Sequence, residues 1–311
     1  MFFDKTWNPN GLHIYVTGGS TGLGLSLALL LAKKGAHVSI VARNQAKLDS
    51  ALAAMESYRQ YPDQLLTVYS FSLNTAAESA AALEAVCKPH GGHAPDAVFA
   101  CAGSSKPKFL LEMSAEDMEQ GMINGYWVQV WTAMATAKKM VREGSKGKIV
   151  LVSSTLGYMS FIGFASYSPA KHALRGLADT LQSEFMLYDI DVHIFFPPTM
   201  FTPGYDEENK TKPQITKDIE STDEGITADA AAKALLQGVQ DGHAHITADM
   251  ITTLFRASTR GVAPRHNMFL DPLYDMAAFV IAPIWRMSVD KRVRAHREQH
   301  QQHLRESGFF S

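Results

Sequence analysis

The chain predicts an α/β protein: a doubly wound parallel sheet in a single domain, with a substrate lid loop and a C-terminal apolar extension. Two observations predict it. Short apolar runs alternate with longer amphipathic ones, and a glycine-rich turn joins the first run to the first amphipathic stretch. The short runs are nearly continuous in Val, Ile, Leu and Phe, as strands buried on both faces must be. Strand–helix alternation implies parallel strands with helices on both sides. Right-handed crossovers then bring the strand C-termini, and any ligand, to one edge of the sheet.

The expected strands are 12–16, 37–41, 65–69, 97–100, 148–152 and 192–196, and the expected helices are 22–34, 45–59, 76–88, 115–143 and 166–188. Ser114 is a suitable N-cap for the fourth helix, with Glu116 and Asp117 at the positive end of its dipole. The domain is expected to span 1–248 and to include a long polar stretch, 199–226, with Pro203, Gly204 and Pro213. A connection of that length in a compact domain is usually a lid or disordered. The extension, 249–311, holds an apolar segment, 269–287, followed by a basic tail with Lys291, Arg292, Arg294 and Arg297. Its uninterrupted apolar part, 276–285, is short of the ~20 residues a spanning helix needs. It either packs as a core or subunit-contact helix or dips into one leaflet, with Trp285 and Arg286 at the headgroups.

Composition narrows the function. With 29 basic against 31 acidic side chains, the chain offers no polycationic face, so no nucleic acid is expected as a partner. Cys87 and Cys101 are the only cysteines, which excludes a disulfide scaffold and points to a reducing compartment. Residues 1–11 carry Asp4, Asn8 and Pro9 and no apolar h-region, and no signal peptide is expected there.

TGGSTGLG, 17–24, lies directly after the first strand and opens the first helix. Gly18, Gly22 and Gly24 allow a tight turn and close approach of backbone to ligand, and the free N–H groups of the helix start face an anion. In that strand–turn–helix setting the pattern marks a dinucleotide site. The same letters satisfy G-x-S-x-G over 18–22, a hydrolase elbow. Gly24, which an elbow does not need, and the lack of an upstream strand for an oxyanion loop oppose that reading. The second strand ends in Ala42-Arg43-Asn44, where an NAD site places an acid. Arg43, with Lys47 one helical turn on, suits a 2′-phosphate instead and points to NADPH.

Tyr167 and Lys171 are four apart at the start of a predicted helix and share one face. A phenol, ordinarily near ~10, is a poor acid–base group at neutrality unless a neighbouring ammonium lowers its pKa. Ser154, thirteen residues before Tyr167, closes the fifth strand, so all three converge on the sheet edge that carries the glycine turn.

Together TGGSTGLG, Asn124, Ser154, Tyr167 and Lys171 resemble the short-chain dehydrogenase/reductase family in order and spacing. The resemblance implies a Rossmann-type fold. Tyr167 would be the proton donor, Ser154 the holder of the substrate oxygen, Lys171 the partner of both ribose and phenol, and Asn124 a support for a water-linked proton path. Coenzyme contacts are implied at Gly18, Ser20, Thr21, Gly22, Leu23, Gly24, Arg43, Lys47, Ser72, Leu73, Ala102, Gly103, Tyr167, Lys171, Pro197, Thr199 and Thr202. Three places depart from the family pattern: Ala100 replaces an Asn before Cys101, Ser72 stands where an Asp commonly meets the adenine, and Thr199-Met200-Phe201 replaces a more polar run.

A narrower likeness covers about 11–287. Its markers are FIGFASYSPAKHALRGLADTLQSE at 161–184, Pro197-Pro198, Thr202-Pro203-Gly204 and the run Glu207 to Pro213. This branch of the family reduces the ketone of a long-chain amino ketone in sphingolipid synthesis. The likeness implies a lipid substrate, a homo-oligomer (dimer or tetramer) formed through 115–143 and 166–188, and a membrane surface on the cytosolic side of the endoplasmic reticulum. A steroid or retinoid carbonyl is the alternative substrate class, and a non-catalytic NADP(H) sensor the remote one. Asp206, Glu207 and Glu208 either attract the substrate ammonium or form a solvated acidic run. His296, His300 and His303 are expected in a solvated tail, and no metal is expected.

Overall fold

The computed structural model describes residues 7–221 and 223–310. Six strands, β1 (His13–Thr17), β2 (His37–Ala42), β3 (Leu66–Ser70), β4 (Ala97–Ala100), β5 (Gly147–Val152) and β6 (Ile190–Phe196), lie where the apolar runs predict them. The expected lid loop is structured. It opens and closes with a two-residue parallel pair, β7 (Met200–Phe201) and β8 (Ile226–Thr227). A seventh strand of the main sheet, β9 (His245–Thr247), escapes the sequence pattern because three residues show no periodicity. The sheet runs β3-β2-β1-β4-β5-β6-β9 with every neighbouring pair parallel. Thr17 sits beside Val41 and Ala100, and Val152 beside Phe195, so the strand C-termini open on one edge.

Helices α1 (Gly22–Lys33), α2 (Gln45–Glu56) and α3 (Ala76–Cys87) follow the first three strands. The predicted helix 115–143 is interrupted: α4 (Ala115–Met122) and α5 (Val128–Glu143) flank a π-helical turn at Ile123–Trp127. Ser114 caps α4, its hydroxyl accepting from the Asp117 N–H at 3.2 Å while the Asp117 carboxylate accepts from the Ser114 N–H. The turn is pressed against α6 (Ser168–Glu184), where a Cβ on Gly125 would come within 2.6 Å of the Ala170 side chain. The lid contributes α7 (Pro203–Asn209) and α8 (Gln214–Glu220), the former capped by the Thr202 hydroxyl. The chain continues with α9 (Ala228–Gln240), α10 (Met250–Ser258), α11 (Leu270–Ala295) and α12 (Arg297–Glu306).

The core has two halves, one on each face of the sheet. Leu27, Leu31, Leu48, Met55 and Leu235 pack from α1, α2 and α9 onto Ile14, Val16, Ile40 and Phe99. Val86, Ala137, Met140, Leu174 and Ala178 pack from α3, α5 and α6 onto Tyr15, Val98, Ile149 and Phe196. A smaller cluster of Ile215, Ile219 and Val289, with Phe161 and Trp285 against it, fastens the lid to α11. Arg256 and Asp271, both fully buried, form a bidentate pair at 3.0 and 2.6 Å that ties α10 to α11. Removing one partner of such a pair costs about 3–5 kcal/mol.

The histidine tail departs from expectation as well. His300 packs on the Phe109 ring, 4.2 Å between centroids, His303 pairs with Glu112, and Leu304 is buried. These contacts dock α12 on the chain, so the tail is not simply solvated.

Candidate active site

A cavity of about 650 Å³ opens at the C-terminal edge of the strands. The β1–α1 turn forms one wall. Gly18 has φ +66°, and a Cβ there would stand 2.9 Å from the backbone of Ala102. A Cβ on Gly24 would meet the Gly18 carbonyl oxygen at 2.4 Å. Only glycine lets these segments close into a cradle. The N-terminus of α1 has no side-chain cap and no acid in its first turn, so its N–H groups remain for an anion. Arg43 and Lys47 line the same cavity at the end of β2, exposed and, among the described residues, in no ion pair. This donor set fits a dinucleotide.

Gly18, Ser20, Thr21, Gly22, Leu23, Gly24, Arg43, Lys47, Leu73, Ala102, Gly103, Pro197, Thr199 and Thr202 all line the cavity, as do Asn124, Ser154, Tyr167 and Lys171. Ser72 does not. Its neighbours Phe71, Leu73 and Asn74 reach the cavity, while the Ser72 hydroxyl turns locally to accept from the Asn74 N–H at 3.4 Å.

At the reacting end, Ser154 is held by the short helical turn it caps, accepting from the Leu156 N–H at 3.2 Å. Lys171, one turn beyond Tyr167 on α6, places Nζ 5.3 Å from the phenol ring centroid. Nζ donates to the Val152 carbonyl at 2.9 Å. Asn124 sits in the π-helical turn, and a Cβ on Gly103 would lie 3.0 Å from its carbonyl oxygen and 3.9 Å from Lys171 Nζ. Such single-turn π segments break helical register and are frequent at functional sites.

One electrostatic expectation is reversed. Burial, more than any neighbouring charge, pushes the Tyr167 phenol well above its ordinary value, with the Glu208 carboxylate adding to the rise and the Ser154 hydrogen bond opposing it. Burial likewise pulls Lys171 down to about 7. Desolvation penalises whichever form is charged, and here it outweighs the attraction expected between ammonium and phenolate. The phenol is therefore protonated at neutrality, the state in which it can deliver a proton to a carbonyl oxygen.

Sequence reasoning missed several lining residues. Gln129 braces Val152, and Cys101, its thiol raised to about 12 by burial, lies in the wall beside Ala102. The same cavity has an apolar lining from Met159, Phe161, Phe164, Ile251, Phe255, Ala278, Ile281 and Trp285. The α11 members, Ala278, Ile281, Ala282 and Trp285, follow helical spacing, but nothing in the sequence assigns that stripe to the cavity.

A doubly wound sheet with a dinucleotide cradle beside a Ser–Tyr–Lys set defines a nicotinamide-dependent oxidoreductase. Residues 12–213 match the family model for short chain dehydrogenases, and the chain belongs to that family. It is 41% identical over 309 residues to a 3-ketodihydrosphingosine reductase of Cryptococcus neoformans, covering 99% of this chain and 92% of that protein. A 3-ketodihydrosphingosine reductase of Aspergillus fumigatus is 36% identical, covering 85% and 78% of the two chains. The Dictyostelium discoideum enzyme of that name is 31% identical, covering 89% and 84%. Among solved structures, a short-chain type dehydrogenase/reductase from Mycobacterium ulcerans superposes with a TM-score of 0.67 at 22% identity, covering 78% of this chain and 89% of that one. That likeness concerns the fold.

Proposed function

We propose that the chain reduces the ketone of 3-ketodihydrosphingosine to the secondary alcohol, with NADPH as coenzyme. The observation that carries this reading is that one cavity holds both the Ser–Tyr–Lys set at the glycine cradle and apolar side chains of α10 and α11. A polar reacting head on a long alkyl chain matches that pairing, and the relatives named for this reaction match nearly the whole chain. The free Arg43 fork and Lys47 support the 2′-phosphate form of the coenzyme.

NADPH, when bound, supplies the hydride for the carbonyl carbon. Tyr167 gives its proton to the carbonyl oxygen as negative charge grows there, and the Ser154 hydroxyl stabilises the same oxygen. Lys171, titrating near neutrality, takes up positive charge as the phenolate forms, because the new anion offsets its desolvation. Asn124, in its π turn, supports the path that returns a proton to this pair. NADPH oxidation measured with 3-ketosphinganine, a steroid ketone and a retinal tests the assignment. Turnover with the first alone is expected, and preference for either of the others overturns it.

We place the protein on a membrane surface, at the cytosolic side of the endoplasmic reticulum. Beside the cavity stripe of α11 stand Met276, Phe279, Val280, Ile284 and Met287, and Phe279 is 81% exposed. Arg286, Lys291 and Arg292 follow on the exposed surface, a layout suited to an anionic interface. Among the described residues no helix is long and apolar enough to cross a membrane. Phe279→Glu with Ile284→Glu is expected to abolish flotation with anionic liposomes while preserving turnover of a short-chain ketone; unchanged flotation removes the placement. Deletion of α11 is the poorer test, since it strands buried Arg256. A homo-oligomer through α5 and α6 is supported by exposed apolar side chains near their ends, Trp127, Met186 and Leu187, and light scattering of the purified chain checks it.

A further inference from the structure

The lid encloses an ion triad that the chemistry above leaves unused. Lys212 Nζ, its side chain wholly buried, sits 2.8 Å from Glu208 Oε1 and 2.5 Å from Glu220 Oε2, with the Tyr205 ring 4.8 Å away. Two carboxylates share one ammonium, so the ionised set carries a net negative charge. Glu208 and Glu220 line the cavity, whereas Lys212 stands behind them. The cavity therefore meets the acids and not the cation.

Position selects Glu208. Its partner Lys212 Nζ lies 5.7 Å from the Phe164 ring, which stands 6.0 Å from the Tyr167 ring, so Glu208 lies at the reacting end. The two acids beside it in sequence face elsewhere: Glu207 pairs with Lys210 at 2.6 Å on the surface, and Asp206 is exposed outside the cavity. An excess carboxylate held in a half-buried wall is unfavourable by itself, and a second cation relieves it. In a 2-amino ketone the ammonium is on the carbon next to the carbonyl. The group that binds it must then stand beside the proton donor.

We propose that Glu208, held in place by Lys212, is the specificity-determining residue that receives the ammonium of an amino-ketone substrate. The inference rests on the substrate reading above. Lys212 positions the carboxylate, Glu220 shares the lysine, and the substrate ammonium completes the charge balance of the lid.

The test compares Glu208→Gln with the parent on two substrates, 3-ketosphinganine and the long-chain 3-ketoalkan-1-ol that lacks the amine. The variant keeps the shape and an acceptor for Lys212. Its kcat/KM for the amino ketone is expected to fall about 10–100-fold, mostly through KM, with less than about a threefold change for the amine-free ketone. Comparing the two substrates removes any shared effect on Tyr167. Equal losses on both, or a loss on neither, overturn the proposal. Asp249 also lines the cavity, and its carboxylate caps α10. If Asp249→Asn and not Glu208→Gln discriminates, the ammonium site belongs there and the proposal is likewise overturned. Thermal melting and NADPH titration of Glu208→Gln confirm that it folds and binds coenzyme. A parent enzyme that reduces neither ketone marks the failure of the substrate reading itself, a result distinct from loss of discrimination.

Discussion

Gln129 holds both backbone polar groups of Val152, donating from Nε2 to its carbonyl and accepting at Oε1 from its N–H, each at 2.8 Å. The same carbonyl receives Lys171 Nζ. Through Val152 a buried amide on α5 thus sets the acceptor that aims the active-site lysine. Gln129→Leu leaves a buried N–H without its partner, at about 1–3 kcal/mol. A lower Tm is expected, together with at least about a tenfold loss in kcat, because misplacing a reacting group by about 1 Å can cost 10²-fold. Unchanged kcat at a lowered Tm would make Gln129 merely structural.

Tyr167→Phe removes the proton while keeping the ring. Turnover is expected to fall by about 10²–10³ or more, with NADPH affinity within about threefold of the parent by fluorescence titration. Wild-type-like turnover would remove the phenol from the chemistry.

Arg43→Gln withdraws the planar fork at the end of β2. A charge-assisted contact of about 1.5–3 kcal/mol corresponds to about 10–100-fold in binding. The KM for NADPH is expected to rise by that factor and the KM for NADH to change little, read as the ratio of the two coenzymes' kcat/KM. An unchanged ratio would mean that the 2′-phosphate is held elsewhere.

At the opposite end of the sheet, His13 stacks on His90 at 3.4 Å between centroids, with His37 edge-on to His90. Burial and the neighbouring imidazoles bring His13 down to about 3 and His90 to about 4. Their folded pKa values lie below the ~6.5 of the unfolded chain, so the unfolded state binds more protons in acid. The stability they contribute is present above about pH 6.5 and is lost as pH falls toward the folded values. His13 alone is expected to remove about 2 kcal/mol between pH 7 and 5. Urea midpoints at those pH values measure it, and His90→Phe should flatten the acid limb.

Much of this protein is written in local patterns. Apolar runs, glycine spacing and caps such as Ser114 act over a few residues, so six strands, the cradle and the order Ser154–Tyr167–Lys171 are legible without coordinates. Limits appear where assignment depends on distant partners. Three-residue β9 is a strand because β6 pairs with it, and the break in helix 115–143 lies where α6 closely approaches Gly125. Ser72 misses the cavity while its neighbours Phe71, Leu73 and Asn74 reach it, because facing in the connection after β3 is set by packing against distant parts of the chain.

The sequence by itself determined the fold class and which groups can move a proton, because side-chain chemistry and short-range periodicity are properties of neighbouring residues. Tertiary structure alone decided their charge states and surroundings. It set the raised phenol and lowered ammonium of Tyr167 and Lys171, the turning of Glu208 inward and Glu207 outward, and the stripe of α11 that completes the cavity. Desolvation and packing are sums over atoms brought together from the whole chain, and no local stretch contains them.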